Sequence, residues 1–417
     1  MQIEKFSLGI GDRFGREGLA QLRAVQQAEK AGVVVVPVWN KSNREHSLIG
    51  TTPDDVRAEA EDAVRRGGWK HAYHVDADHI GVKTVDRFLA ASDFYTLDVA
   101  DFIGQPPDEP ALAAFVRDMS SFKGTLRIPG VEQAFEVTDA VLEKIGRSYL
   151  AAVMEAGTIY RRVAAAKGEG NFIPEVSTDE ATEPQLPFEL FFILAALARE
   201  KIPVQTIAPK FSGKFLKGID YVGDVGAFAR ELDADLAVVK HAVSVFGLPA
   251  SLKISVHTGS DKFKLYPAIN KALKKHGAGL HLKTAGTTWL EEVIGVALSG
   301  PAGLAVAKKV YTAALPRYEE LVKPYATVVE IDRAKLPAAA AVDRWTVDDL
   351  VGRLRHDQSN PAYDVHLRQF VHVAFRVAAE MGPEWTGALE TAREVAGRCV
   401  TENLFDRHIR PLFVSPS

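Results

Sequence analysis

Residues 68–81 read GWKHAYHVDADHIG, and their reading decides the fold. A short β-type run, His71, Ala72, Tyr73, His74 and Val75, leads into Asp76, Asp78 and His79. Period-two alternation puts His74, Asp76 and Asp78 on one face of that strand. Two carboxylates and an imidazole at the carboxyl end of a buried strand are costly unless they are paired or hold a cation. Oxygen ligands beside an imidazole suit a divalent metal. The alternative is a strand cap whose acids face water. Which reading applies depends on how the other strands end.

Working outward, the same style recurs. Phe6–Ile10 runs into GIGDRFG and presents Asp12 and Arg13; the glycine spacing there is not the dinucleotide fingerprint. Residues 33–39 are continuously apolar, as in a parallel strand buried on both faces, and Asn40 and Lys41 follow. Strand 94–99 carries Asp98, strand 172–176 carries Glu175 and leads to Asp179, and strand 204–208 leads to Lys210. Strand 252–256 leads to His257, Asp261 and Lys262, and strand 280–283 contains His281 and Lys283. Helical patterns separate these runs, for example the stripe Leu19, Leu22, Val25 and Ala28, the capped start at Thr52-Pro53, and the segment 84–91. Eight parallel strands with alternating helices describe an α/β fold, a TIM-type (β/α)8 barrel. An open doubly wound sheet would gather its polar groups at one switch point, whereas here nearly every strand ends in them.

The rhythm breaks twice. Residues 105–168 show two helical segments and a small hairpin over 124–137, which reads as a helical insertion after strand 4. Beyond Ser299 the pattern is wholly helical, with joints at Pro324, Pro337, Pro361 and Pro383. The expected organisation is a catalytic barrel over 1–299 and a helical extension over 300–417 packed on it.

Composition narrows the function. Among 417 residues, 50 basic and 54 acidic side chains give a formal charge of -4, which offers no general pull towards nucleic acid or anionic lipid. The single cysteine, Cys399, precludes an intrachain disulfide and a multi-thiolate zinc site. No stretch approaches the roughly 20 apolar residues needed to span a bilayer. These features fit a reducing, cytoplasmic setting and a small-molecule substrate, with no nucleic-acid or membrane partner; a homo-oligomer is compatible with them.

In a barrel the site lies at the carboxyl face. His257 and His281 end adjacent strands, and with Glu175 and an acid from the third strand they suit Zn, Mn, Ni, Co or Fe. One such histidine alone would read as a satisfied polar core residue; both together, with the acids, point to a metal. Lys210, Lys262 and Lys283 would surround such a metal with positive charge; the alternative for each is a solvated rim lysine, and as a group they point to an anionic substrate. Arg13 offers a bidentate grip on a carboxylate or phosphate.

Several segments resemble the tagaturonate/fructuronate epimerase family. They are GDRFG at 11–15, VDADHI at 75–80, PEVSTDEATEPQLPFELFFI at 174–193, FSGKFLKGIDYVGD at 211–224, SVHTGSDKFKLYP at 255–267 and HLKTAGTTWLE at 281–291. The pairing of HTGSDKF with HLKTAGT is the most specific of these. The resemblance implies a metal-dependent isomerase that inverts C4 of a 2-ketohexuronate, interconverting D-tagaturonate and D-fructuronate, by retro-aldol chemistry or by dehydration and rehydration. On that reading His257, His281, Glu175 and Asp78 hold the metal, with His79 as the alternate ligand. Asp76 and Asp179 are candidate bases, and Lys210, Lys262 and Lys283 stabilise the intermediate or contact sugar oxygens. Arg13 binds the substrate carboxylate, with Asn40 and Asp261 beside it. A metal-dependent aldolase or isomerase acting on another sugar acid or sugar phosphate shares every one of these groups. A sugar-acid-binding barrel without turnover would need no metal.

Overall fold

The computed structural model describes residues 1–414; positions 415–417 of the expected extension lie outside the described residues. Eight parallel strands close into a barrel: β1 Phe6–Ile10, β2 Val36–Ser42, β3 His74–Ile80, β4 Phe94–Asp98, β5 Ile173–Ser177, β6 Thr206–Ala208, β7 Lys253–His257 and β8 Leu280–Lys283. All eight expected strands are present. β2 and β3 start three residues later than expected and run on through their polar tails, so Asn40, Asp76, Asp78 and His79 are strand residues. A polar tail continues the ladder here because the lumen itself is polar. Ser7, Thr96, Glu175, Lys253, Ser255, His281 and Lys283 are all buried on strands of the barrel, above a small apolar floor of Ile3, Val38, Phe94 and Ile173.

The helices after the strands depart from a simple alternation. Where a helix over 84–91 is expected, the chain makes only a 3-10 turn, Val85–Arg87. The region 105–168 contains the expected small hairpin, Gly124–Leu126 with Phe135–Val137. Its long helix Asp139–Lys167 packs on β4 and on the next barrel helix, Pro187–Arg199, and so takes the place of a barrel helix.

Two hydrophobic cores interleave in sequence. The helix after β8, Thr287–Leu298, is buried nearly all round, Glu291 and Glu292 included, and lies inside a second core with Val310, Phe370 and Trp385. Gly295 lets Arg393–Glu402 come close, since a Cβ there would lie 2.3 Å from Ala396 Cα. The chain then returns. The π-helical segment Asn403–Val414 packs between the helices Tyr266–His276 and Gly18–Lys30, where the eighth barrel helix belongs. Its Leu404, Ile409 and Leu412 are part of the barrel core.

Candidate active site

Lys283 organises the lumen. Its ammonium lies 2.6 Å from Asp76, 2.9 Å from Asp78 and 3.2 Å from Glu175. Thr96 accepts a hydrogen bond from the same ammonium, and its hydroxyl oxygen lies 3.0 Å from both Asp76 and Glu175, either of which can accept its one proton. One cation faces three carboxylates, so one of them is left poorly compensated. Burial, with the charges of Asp78 and Glu175 added to it, lifts Asp76 to about 7 against the pull of Lys283. Burial also opposes ionisation of Glu175, but Lys283 and His257 outweigh it and hold that carboxyl well below its usual range. Burial works against the charge on Lys283, and the three carboxylates override it.

Above this group stands a pair of imidazoles. His79 and His257 meet edge to face with centroids 5.1 Å apart. His79 has a left-handed backbone, φ 50°, at a register shift between Ala77 and Ile80 in the pairing of β3 with β4. The bulge turns its ring towards Asp98, whose Oδ2 lies 2.9 Å from Nδ1. His257 Nε2 lies 2.9 Å from Glu175, and its Nδ1 lies 3.2 Å from Asp179. Ligand atoms of His79, Asp179 and His257 all lie within 4.8 Å of one another, and a second group of that kind joins His79, Asp98 and Glu180. Burial disfavours the charged form of His79, yet Asp78, Asp98 and Asp179 raise it to about 10. The field at this point is strongly negative.

The sequence-derived residues divide accordingly. Asp76, Asp78, Glu175 and Lys283 are brought together in the lumen, and His79, Asp179 and His257 at its mouth. Asp179, expected as a base, stands among the imidazoles. His281 is not with them. It pairs in register with Ser255 and Ser7, one layer below the level shared by His257 and Lys283. Its Nδ1 meets the Ser7 hydroxyl at 2.9 Å, its ring packs on Phe94, and burial with Lys283 and Lys253 nearby keeps it neutral. Asn40 is buried level with Asp76.

Lys262 turns away from the carboxylates. Its ammonium donates to the carbonyls of Leu216, Ile219 and Asp261, and burial lowers it to about 7. Asp261 is fully buried in a separate cluster, 2.6 Å from Arg368, 3.0 Å from His356 and 3.3 Å from His408. It joins the barrel to the helical extension and does not face the lumen acids. Lys210 follows β6 and binds Gln185 through its backbone N–H. Arg13 pairs with Glu45 at 3.2 Å and lies over the Phe375 ring at 4.4 Å. Sequence reading assigned no role to Thr96 or Asp98, though both follow from alternation along FYTLD, which puts Phe94, Thr96 and Asp98 on the lumen face.

A closed parallel barrel with ionised side chains gathered at its carboxyl mouth defines an enzyme of the TIM-barrel class. The chain belongs to the tagaturonate epimerase family, UxaE, whose model matches residues 1–379, and it is an isomerase of the carbohydrate epimerase class. It is 28% identical over 382 residues to the tagaturonate/fructuronate epimerase of Thermotoga maritima, spanning 88% of this chain and 72% of that one. A glycerol-complexed crystal structure of the fructuronate-tagaturonate epimerase UxaE from Cohnella laeviribosi superposes with a TM-score of 0.80 at 23% identity, over 99% of this chain and 82% of that one. The native crystal structure of the Cohnella protein gives 0.72, over 97% and 82%. These structural matches support the barrel and its helical extension.

Proposed function

We propose that the protein interconverts D-tagaturonate and D-fructuronate by inverting C4, through cleavage and re-formation of the C3–C4 bond, with a divalent metal bound by His79, Asp179 and His257. The observation that carries this reading is the convergence of those three ligand atoms within 4.8 Å at the mouth of a barrel of this family. The donors suit a metal. With Nδ1–H of His79 on Asp98 and Nε2–H of His257 on Glu175, His79 Nε2 and His257 Nδ1 are left for ligation. The buried Nδ1 of His257 lies 3.2 Å from Asp179, the third member of the same group. Bound there, the ion supplies a Lewis acid for substrate oxygens.

C4 is β to both the C2 ketone and the C6 carboxylate, so simple enolisation there is not available. Cleavage circumvents this. O4 gives up its proton, C4 becomes an aldehyde, and the C3–C4 bonding pair passes into an enediolate on C1–C3. The aldehyde fragment rotates, the pair returns to the opposite face of C4, and the proton returns to O4. Asp76, which burial and its carboxylate neighbours hold towards the protonated form, is the group assigned to exchange that proton. Lys283, kept protonated by its three partners, offsets negative charge on the enediolate. Arg13 receives the substrate carboxylate.

The test is incubation with each ketohexuronate, followed by NMR, before and after chelation. Appearance of the other epimer, lost on chelation and restored by added metal, supports the reading. Three-carbon products without epimer would instead make the protein an aldolase.

A further inference from the structure

A second set of polar groups lies between the barrel mouth and the helical extension. Lys217, on the loop after β6, has a half-buried ammonium with no hydrogen-bond or ion-pair partner among the described residues. It lies against the backbone of Gly259, where a Cβ would come within 2.8 Å of Nζ. His372, on the helix Val365–Val373 of the extension, packs beside the same loop. A Cβ on Gly286 would meet both its Cε1, at 3.0 Å, and the Gly259 carbonyl, at 2.2 Å. Arg13 completes the set from the loop after β1, its guanidinium 4.4 Å from the ring centroid of Phe375, three residues beyond His372. Three elements distant in sequence therefore converge over the loops that follow β7 and β8.

The set is deficient in acceptors. Among the described residues, His372, 1% exposed, has no partner for its Nδ1, and Arg13, 7% exposed, has none for its Nε. Unsatisfied buried donors are costly, and an anion would satisfy them. Burial and then the charges of Arg13 and Lys217 press His372 towards its neutral form, with no carboxylate opposing them strongly. Arg44 adds a further positive charge at the rim. The nearby acids lie towards the catalytic centre. Glu45 pairs with Arg13 and feels Asp78, while Lys217 feels Glu45 and Glu180, the latter grouped with His79.

We propose that Arg13, Lys217 and His372 form an anion subsite, closed by the helical extension, that takes the carboxylate of a six-carbon sugar acid whose other end reaches the centre at His79 and His257. Lys217 and His372 thereby determine specificity for acids over neutral sugars. The identity of the ligand rests on the hexuronate reading; the charge preference does not.

Calorimetric titration with D-gluconate, a non-reacting six-carbon acid, and with its uncharged counterpart D-glucitol tests the subsite. The wild type is expected to prefer gluconate, and Lys217→Met to weaken gluconate binding at least about tenfold, a loss of ~1.4 kcal/mol, with glucitol binding and metal content unchanged. In turnover the same variant is expected to raise KM with little change in kcat, and Lys217→Arg to restore most of the difference. His372→Leu is expected to act in the same direction, and a circular dichroism spectrum matching the wild type validates its use. Equal affinity of the wild type for gluconate and glucitol, or unchanged gluconate binding in a folded Lys217→Met protein, overturns the subsite. A wild type that selects gluconate through Lys217 yet leaves both ketohexuronates unchanged keeps the subsite and discards the epimerase reading.

Discussion

At His79 the backbone departs from the pleat of its strand, and that departure aims an imidazole that a regular strand would place elsewhere. Replacing His79 or His257 with alanine is expected to abolish metal retention after dialysis, measured by elemental analysis, while the far-ultraviolet spectrum stays that of the wild type. Full metal occupancy in both variants would discard the ligand assignment. Lys283→Met is expected to act differently. It leaves Asp76, Asp78 and Glu175 buried without their cation, and breaking such a buried pair costs about 3–5 kcal/mol, so both activity and the denaturant midpoint at neutral pH should fall. Glu17 gives a pH signature away from the site. Burial and then Asp12 raise its carboxyl from 4.5 to about 8. Between those two values the folded chain keeps a proton that the unfolded chain has shed, so stability falls as pH rises through that window and levels off above it. Glu17→Gln is therefore expected to change little at pH 5 and to stabilise the protein at pH 8, on the order of a few kcal/mol, read from urea unfolding. The residues at the strand ends were legible because ionisable groups at the end of a buried strand need a reason to be there. His281 was misplaced because alternation fixes a face but not a height. Only the register against Ser7 and Ser255 shows that it sits a layer below His257.

Among the elements, the segment Asn403–Val414 fills the eighth helical position of the barrel, although it follows β8 by more than a hundred residues. Phe413 packs on Phe6 with ring centroids 5.0 Å apart, and Asn270 donates to the Leu412 carbonyl at 2.8 Å. Ile409→Ala opens a cavity in the barrel core and is expected to cost about 2–5 kcal/mol, read as a lowered denaturant midpoint with an unchanged slope. A cost below about 0.5 kcal/mol, the range of surface substitutions, would mean that the segment is not integral to the barrel. Leu404, Phe405, Ile409, Leu412 and Phe413 recur at helical spacing and mark a helix despite Pro411, but no local pattern says which core receives that face. The strands were legible in number and order from their apolar runs. Their carboxyl limits were not, because NKS in β2 and DHI in β3 have the composition of loops and become strand only where a polar lumen receives them. The long helix over 139–167 was legible as a helix. Its place against β4 depends on packing that no local pattern encodes.

For the whole molecule, interleaving of the cores sets how it unfolds. The helix Thr287–Leu298 leaves the barrel to build the second core, and Asn403–Val414 comes back to build the first, so each core contains chain from both sides of residue 299. The buried cluster at Asp261 fastens them together. Arg368 reaches Asp261 at 2.6 Å and also binds the carbonyls of Gly218 and Leu354, while His356 and His408 approach the same carboxylate. Ending the chain at residue 299 removes all three cationic or imidazole partners and leaves Asp261, which is 0% exposed, without compensation. It also strips one helical position from the barrel and exposes the apolar surface of Thr287–Leu298. A fragment 1–299 is therefore expected to be unfolded or aggregated. The intact chain is expected to melt in one calorimetric transition whose calorimetric and van't Hoff enthalpies agree, where two independent domains would give two. A chain ended at residue 402 separates the contributions, because it keeps His356 and Arg368 but loses His408 and the returning segment. It is expected to fold with a clearly lowered melting temperature. A soluble 1–299 fragment with a cooperative melt of its own would refute this coupling.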